Sequence, residues 1–169
     1  MESMDSNTRN GPDFSIDLAK VKALGIANPL SQQALQLYDQ NALSAAERLL
    51  FCIWRNNTLE SRAFKAGDSI AHSGDRALDA YIVVSGEMHA SDGKNSYVLG
   101  PGSVIGLAEG LADLPYHFTV IANTTVTARL IPVDKARREL LRINAGLRGI
   151  CRSAIVRTLG LSQIPESLK

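Results

Sequence analysis

The most informative part of the sequence alternates short apolar runs with glycines. Residues 64–75 read FKAGDSIAHSGD, and residues 81–86 read YIVVSG. Three glycines, Gly67, Gly74 and Gly86, fall between or directly after runs rich in β-branched and aromatic residues. Because glycine adopts the positive φ values that tight turns need, this spacing predicts short strands joined by tight turns.

The same pattern continues downstream. Asp92 and Gly93 form a dipeptide typical of a two-residue hairpin turn. Val126, Ala128 and Leu130 alternate with polar residues, as a strand with one buried face requires. The sequence therefore predicts an antiparallel β-roll or jelly roll in the middle of the chain.

Helical periodicity flanks this β region on both sides, so the fold class is mainly β with flanking helices (α+β). Ser44 and Glu47 have the spacing of a capping box at a helix start. Two C-terminal helices are expected, with a break near Ala145 and Gly146, because glycine disfavours a helix interior. The predicted organisation is a disordered tail (1–16), a helical segment (17–60), a β-roll (61–132) and C-terminal helices (133–169).

Two further stretches follow in order, LGPGSVIG at 99–106 and LPYHFTVIA at 114–122. With the opening runs, they resemble the cyclic-nucleotide-binding domain of the catabolite activator and fumarate–nitrate regulator superfamily, over residues 61–160. The resemblance implies a β-roll with N-terminal helices and a two-helix C-terminus. It also implies a cytoplasmic domain for signal transduction by ligand sensing, without enzymatic activity.

The resemblance also implies where a ligand would bind. In the family, a short helix after a glycine, here Gly106, presents backbone amides to the cyclic phosphate. Members that bind cyclic nucleotides carry a ribose-binding glutamate and a phosphate-binding arginine at the positions of Leu107 and Tyr116. Leucine accepts no hydrogen bond, and tyrosine offers one neutral donor. Hydrogen bonds to charged groups contribute about 1.5–3 kcal/mol each, so losing both weakens binding by roughly two to four orders of magnitude.

The candidate ligand-binding residues lie at the helix start and in the strand after the proline. They are Gly106, Leu107, Ala108, Glu109, Pro115, Tyr116, His117, Phe118 and Thr119. Glu109 and His117 are conceivable replacements for the missing acid and base, although an exposed glutamate and a strand histidine are the simpler interpretations. We expect no required cofactor and no metal, and cyclic AMP or cyclic GMP is disfavoured as the ligand. A less charged ligand would suit a pocket lined by Leu107, Tyr116 and Phe118 better.

Other chemistries find little support in the sequence. The three histidines, His72, His89 and His117, lack the spacing of a metal-binding cupin, although each histidine and each cysteine remains a conceivable axial ligand for haem. Cys52 and Cys151 are too few for a disulfide framework or a four-cysteine metal site. A net charge of +1 across 169 residues indicates no particular class of partner.

A homodimer through the C-terminal helix is the expected assembly, and the alternative is that this helix packs on its own β-roll. The predicted dimer seam consists of Leu140, Ile143, Leu147, Ile150 and Ala154. Basic residues scattered around these helices indicate a solvated face and no nucleic-acid groove. They are Arg137, Arg138, Arg142, Arg148, Arg152 and Arg157.

The predicted function is a stand-alone regulatory domain that senses a small ligand or mediates interaction with an unknown protein partner. Because the chain ends at Lys169, it leaves no room for a helix-turn-helix module, so we expect no direct DNA binding by this chain alone. No apolar run has the length of roughly 18 residues that a membrane span needs, so no membrane partner is expected. The alternatives are a true cyclic-nucleotide receptor with rearranged contacts, a truncated sensor domain of a transcription regulator, and a purely structural dimerisation domain.

Overall fold

Two antiparallel four-stranded sheets form the centre of the molecule. The computed structural model describes residues 60–142, 145–159, 163, 165 and 166, without the side chains of residues 147, 150, 151, 154, 157 and 158. The first sheet has the order β1-β8-β3-β6, with β1 Glu60–Phe64, β8 Val126–Pro132, β3 Asp79–Ser85 and β6 Val104–Ile105. The second has the order β2-β7-β4-β5, with β2 Ser69–Ala71, β7 Thr119–Ala122, β4 Met88–Ser91 and β5 Ser96–Leu99. The predicted fold class, a β-roll with flanking helices, is confirmed.

The turns of the roll have the chemistry that the sequence predicts. Gly93 has a φ of 90° in the turn between β4 and β5, and the Asp92 carboxylate accepts hydrogen bonds from the amides of Lys94 and Asn95 at 2.9 and 2.6 Å. At Gly86, where φ is 94°, an added Cβ atom would lie 2.3 Å from a backbone oxygen of the neighbouring chain segment. Glycine is therefore required at this turn, because no side chain fits there.

The core lies between the inner faces of the two sheets. Along β8, Val126 and Ala128 are fully buried and Leu130 is nearly so, while the residues between them are partly exposed. This alternation confirms the predicted one-sided strand. Phe118 at the start of β7 packs edge-on against Tyr97 of β5, with ring centroids 5.6 Å apart.

Three helices are described: α1 Leu107–Leu111, α2 Val133–Arg142 and α3 Ala145–Leu159. The predicted division of the C-terminus into two helices is confirmed. The break lies next to its predicted position, since α2 ends at Arg142 and α3 begins at Ala145, and Gly146 and Gly149 lie inside α3. Each glycine costs about 1 kcal/mol in a helix, and we attribute its tolerance here to the packing of α3 on α1 and the burial of Ile155.

Helix α1 is enclosed by its neighbours. It contacts β3, α2 and α3. A Cβ atom added at Gly110 would meet a side-chain carbon of Val133 at 2.5 Å and the carbonyl oxygen of Ala77 at 2.9 Å. The Arg137 guanidinium of α2 donates to the Gly110 carbonyl oxygen at 2.7 Å, so α2 caps the end of α1.

Several predictions concern parts of the chain outside the described residues. These are the disordered tail, the helical segment of residues 17–60 with its capping box, Ile143, and the side chains of the seam residues Leu147, Ile150 and Ala154. Of the predicted seam, the structure describes only the Leu140 side chain, which is buried. No helix in the described part of the chain is long and apolar enough to cross a membrane.

Candidate functional site

The turn between β6 and α1 depends on glycine. Gly106 is the N-cap of α1, with a φ of 80° and no side-chain cap. Its carbonyl oxygen accepts the first helical hydrogen bond, from the Gly110 amide at 2.9 Å. A Cβ atom at this position would lie 2.5 Å from Cε1 of Tyr116 and 3.1 Å from the carbonyl oxygen of Asp79. The start of α1 is therefore in close contact with the Tyr116 ring.

Tyr116 is fixed by both its side chain and its backbone. Its hydroxyl donates to the Asp79 carbonyl oxygen at 2.5 Å, and its side chain is nearly buried within the core between the sheets. Its amide donates to Asp75, and its carbonyl oxygen accepts from Gly74. Burial, followed by the nearby groups of Tyr81 and Asp79, raises the pKa of Tyr116 above its ordinary value. The hydroxyl is therefore neutral at pH 7 and acts as a donor.

The residues that follow Gly106 are buried. Leu107 and Ala108 have no exposed surface, and Glu109 is 3% exposed. The prediction of an exposed Glu109 is wrong, since α2, α3 and β3 all pack against the short helix that carries it. Leu107, which the sequence analysis assigns to the position of the ribose-binding glutamate, is therefore a buried apolar residue.

The remaining candidate residues are distributed over different neighbours. Pro115 is exposed and forms an isolated β-bridge with Arg76. The Thr119 hydroxyl accepts from the Ser73 amide at 3.1 Å. Phe118 belongs to the core. The structure thus brings Gly106 and Tyr116 into contact and places Phe118 in the same core cluster as Tyr116. Pro115 and Thr119 make other contacts.

His117 points away from α1. Its side chain is 51% exposed, and its Nε2 lies 3.4 Å from the Asp92 carboxylate in the turn between β4 and β5. The amides of Asn95 and Lys94, and to a lesser extent His117, lower the pKa of Asp92. His117 therefore interacts with the turn between β4 and β5, in a contact that does not involve Tyr116.

Two contacts at this site have no clear sequence signal. One is the acceptor for Tyr116, which is the backbone oxygen of a residue 37 positions earlier. The other is Arg137, which the sequence analysis assigns to a solvated face. In the structure Arg137 is partly buried and caps α1, while Arg148 donates to the Leu141 carbonyl oxygen at 3.1 Å. The solvated-face prediction is therefore wrong for these two arginines.

Two side chains beside Gly106 are apolar or neutral. Leu107 supplies no acceptor for a ribose hydroxyl. The Tyr116 hydroxyl is neutral and already donates to Asp79, so it offers nothing comparable to a guanidinium for the phosphate. Within the described ranges, no group of three or more His, Cys, Asp or Glu side chains is arranged to hold a metal ion.

The strand order and the glycine-capped helix α1 define a cyclic-nucleotide-binding fold. Residues 61–142 match the family model of the cyclic nucleotide-binding domain. The predicted resemblance to the cyclic-nucleotide-binding domain is therefore confirmed over these residues. No curated protein matches the chain.

Solved structures with this fold include the cyclic-GMP-bound form of the EAL enzyme Bd1971. It is 19% identical, has a TM-score of 0.51, and matches over 59% of this chain and 28% of that chain. A second structure comes from a cyclic-GMP-dependent signalling pathway that regulates bacterial phytopathogenesis. It is 22% identical with a TM-score of 0.51, over 62% of this chain and 88% of that chain. At these identities the similarity establishes the fold. The chain spans less than a third of the EAL enzyme.

Proposed function

We propose that this protein is a regulatory domain that acts through protein contacts and does not use cyclic AMP or cyclic GMP as its signal. The observation that carries the proposal is the position of Tyr116. Its ring lies against Gly106, and its hydroxyl is bound to the Asp79 carbonyl oxygen. A side chain of the protein itself thus occupies the region next to the helix start, where the family places the cyclic phosphate.

The energetics of an anion at this site support the same conclusion. An anion near Gly106 would gain from the dipole of α1, but a helix of five residues contributes little. It would also have to displace a nearly buried tyrosine from its hydrogen bond. The charge-assisted contacts that compensate for such a cost in other members need an arginine and a glutamate, and here the positions carry Tyr116 and Leu107.

Contacts of α1 support regulation through protein partners. This helix touches α2 and α3 directly, and Arg137 binds its last turn. A partner that binds α2 or α3 would therefore act on the same structural element that a nucleotide contacts in other members of the family. No nucleotide is needed for such coupling.

Isothermal titration calorimetry of the full chain with cyclic AMP and with cyclic GMP tests the proposal. We expect no heat of binding at concentrations up to the millimolar range, and no shift of the thermal unfolding midpoint with either nucleotide. A micromolar dissociation constant for either nucleotide would overturn the proposal and favour a true receptor with rearranged contacts.

A further inference from the structure

The charges of the chain are unevenly distributed between the β-roll and the helices that follow it. Residues 60–132 contain eight acidic and five basic residues, a net charge of −3. Residues 133–142, which form α2, contain two acidic and four basic residues, a net charge of +2, and residues 145–159 of α3 contain three arginines and no acidic residue. The low overall charge of +1 therefore includes a negative β-roll and positive C-terminal helices.

Three basic side chains of α2 lie along its exposed face. Lys135, Arg138 and Arg142 are separated by three and four residues, so they fall on one side of a helix with 3.6 residues per turn. All three are exposed, whereas the buried residues of α2 lie on its other side, where the helix contacts α1 and β8. We call these three residues the basic stripe of α2. It is about 10 Å long, because each helical residue advances 1.5 Å along the axis.

The charges of the basic stripe are only partly neutralised within the protein. Among the described residues, neither Lys135 nor Arg138 takes part in an ion pair. Arg142 binds the buried carboxylate of Glu139 at 3.1 Å, and its side chain is still 68% exposed. The exposed carboxylate of Asp134 lies in the first turn of α2, where it interacts favourably with the helix dipole. The stripe thus keeps a net positive charge on an exposed surface.

An exposed apolar side chain lies beside the basic stripe. Leu141 is 61% exposed and follows Arg138 by three residues, so the two side chains are neighbours on the helix surface. The Leu141 carbonyl oxygen accepts from Arg148 of α3 at 3.1 Å, which holds the end of α2 in place. A partner can therefore bury Leu141 at little cost in backbone entropy.

We propose that the basic stripe of α2 and Leu141 bind an acidic helical segment of a protein partner. Carboxylates three and four residues apart on that segment match the spacing of the three cations, and an apolar side chain beside them covers Leu141. This inference rests on the proposed function, because it states the chemistry of the protein partner that acts on α2.

The charge of the β-roll favours a short acidic segment over an extended polyanion. A nucleic acid or an anionic bilayer extends far beyond a stripe of about 10 Å and would also be repelled by the β-roll, whose net charge is −3. Phosphate groups gain nothing from Leu141, whereas an amphipathic protein segment contacts both the cations and this leucine.

Fluorescence anisotropy of a labelled peptide tests the proposal with the full chain. The probe is a helical peptide with three glutamates at spacings of three and four residues, beside two leucines, and the matched peptide has glutamine at the three glutamate positions. In about 0.1 M salt, the glutamate peptide should bind at least tenfold more tightly than the glutamine peptide. In about 1 M salt the difference should disappear, because the Debye length falls to about 3 Å.

Paired charge reversals locate the binding surface. Lys135→Glu combined with Arg138→Glu should weaken binding of the glutamate peptide at least tenfold, and Leu141→Ser should weaken binding of both peptides. Lys65→Glu combined with Lys94→Glu makes the same change of charge at exposed positions of the β-roll. This control should leave the affinity within about twofold of the natural chain, because charges more than about 10 Å apart are largely screened in about 0.1 M salt. Circular dichroism checks that every variant is folded.

The outcomes that would overturn the proposal are distinct from those that concern the nucleotides. No binding of the glutamate peptide, equal affinities for the two peptides, or unchanged binding by the Lys135→Glu, Arg138→Glu variant would overturn it. Stronger binding of a DNA duplex or of phosphatidylglycerol vesicles than of the glutamate peptide would also do so. If the peptide fails and neither nucleotide gives heat in calorimetry, only this inference is lost, whereas heat of nucleotide binding contradicts the proposed function itself.

Discussion

The sequence analysis assigns Tyr116 to the position of the family's phosphate-binding arginine, and the structure shows this tyrosine nearly buried. A neutral side chain can be buried at low cost if its polar atom is paired. The Tyr116 hydroxyl is paired with the Asp79 carbonyl oxygen, so the ring contributes apolar burial without leaving an unsatisfied donor. Tyr116 is therefore a core residue that brings no positive charge to the start of α1.

Restoring the two family residues should restore nucleotide binding. The double variant Leu107→Glu, Tyr116→Arg supplies an acceptor for the ribose and a guanidinium for the phosphate. At about 1.5–3 kcal/mol for each charged hydrogen bond, affinity for cyclic AMP or cyclic GMP should rise by roughly two to four orders of magnitude. Calorimetry measures the gain.

The single variant Tyr116→Phe serves as the control, because it removes the hydrogen bond to Asp79 but leaves the ring in place. It should bind neither nucleotide. A folded double variant that also binds neither nucleotide would show that something other than these two side chains prevents binding.

Gly106 and Gly93 allow the effect of the Tyr116 contact to be separated from backbone strain. Both have positive φ, but a Cβ atom at Gly93 meets nothing within 4 Å, while one at Gly106 meets the Tyr116 ring at 2.5 Å. Gly93→Ala should lower the free energy of unfolding by about 1 kcal/mol. Gly106→Ala should lower it by roughly 2–4 kcal/mol, since overpacking adds to the strain. Urea unfolding followed by circular dichroism provides both values, and equal losses would contradict the close contact.

Helix α1 ends in a Schellman motif that contains a non-glycine residue. The Asp113 amide donates to Gly110 and the Leu114 amide to Glu109, and Asp113 has a φ of 58°. A carboxylate next to the negative end of a helix is also unfavourable. Both features indicate that Asp113 is retained at some cost to stability.

Replacing Asp113 should therefore stabilise the fold, to an extent that depends on the new residue. Asp113→Gly removes the charge and the Cβ strain, and should raise the free energy of unfolding by about 1 kcal/mol. Asp113→Ala removes the charge but keeps the strain, so it should be about 1 kcal/mol less stable than the glycine variant. Chemical unfolding at micromolar protein concentration gives the free energy of unfolding of both variants. An alanine variant as stable as the glycine variant would contradict this account.

The elements of the roll could be predicted from the sequence because their signals are local. The Asp92–Gly93 turn and the alternation along β8 depend on neighbouring residues, and both are found where expected. The break between the two C-terminal helices is found next to the predicted position. The inclusion of Gly146 and Gly149 in α3 could not be predicted, because packing of α3 on α1 outweighs their low helix propensity.

Across the molecule, the contacts of Tyr116 with Gly106 and Asp79 join parts of the chain that are far apart in sequence. The resemblance to the family assigns Leu107 and Tyr116 to the ribose-binding and phosphate-binding positions, and this assignment stays a prediction. The Asp79 oxygen is a backbone atom with no signal of its own, and the burial of Glu109 follows from three elements that meet on one helix. Such properties depend on tertiary packing and are invisible to periodicity.

The close packing around Gly110 determines how α1 can move relative to α2. With Val133 on one side, Ala77 on the other and Arg137 bound to its carbonyl oxygen, Gly110 cannot move relative to α2 without breaking these contacts. These contacts couple α1 to α2, and we expect the two helices to move together. A displacement imposed on α2 from outside is conveyed to Gly106 at the other end of the same short helix.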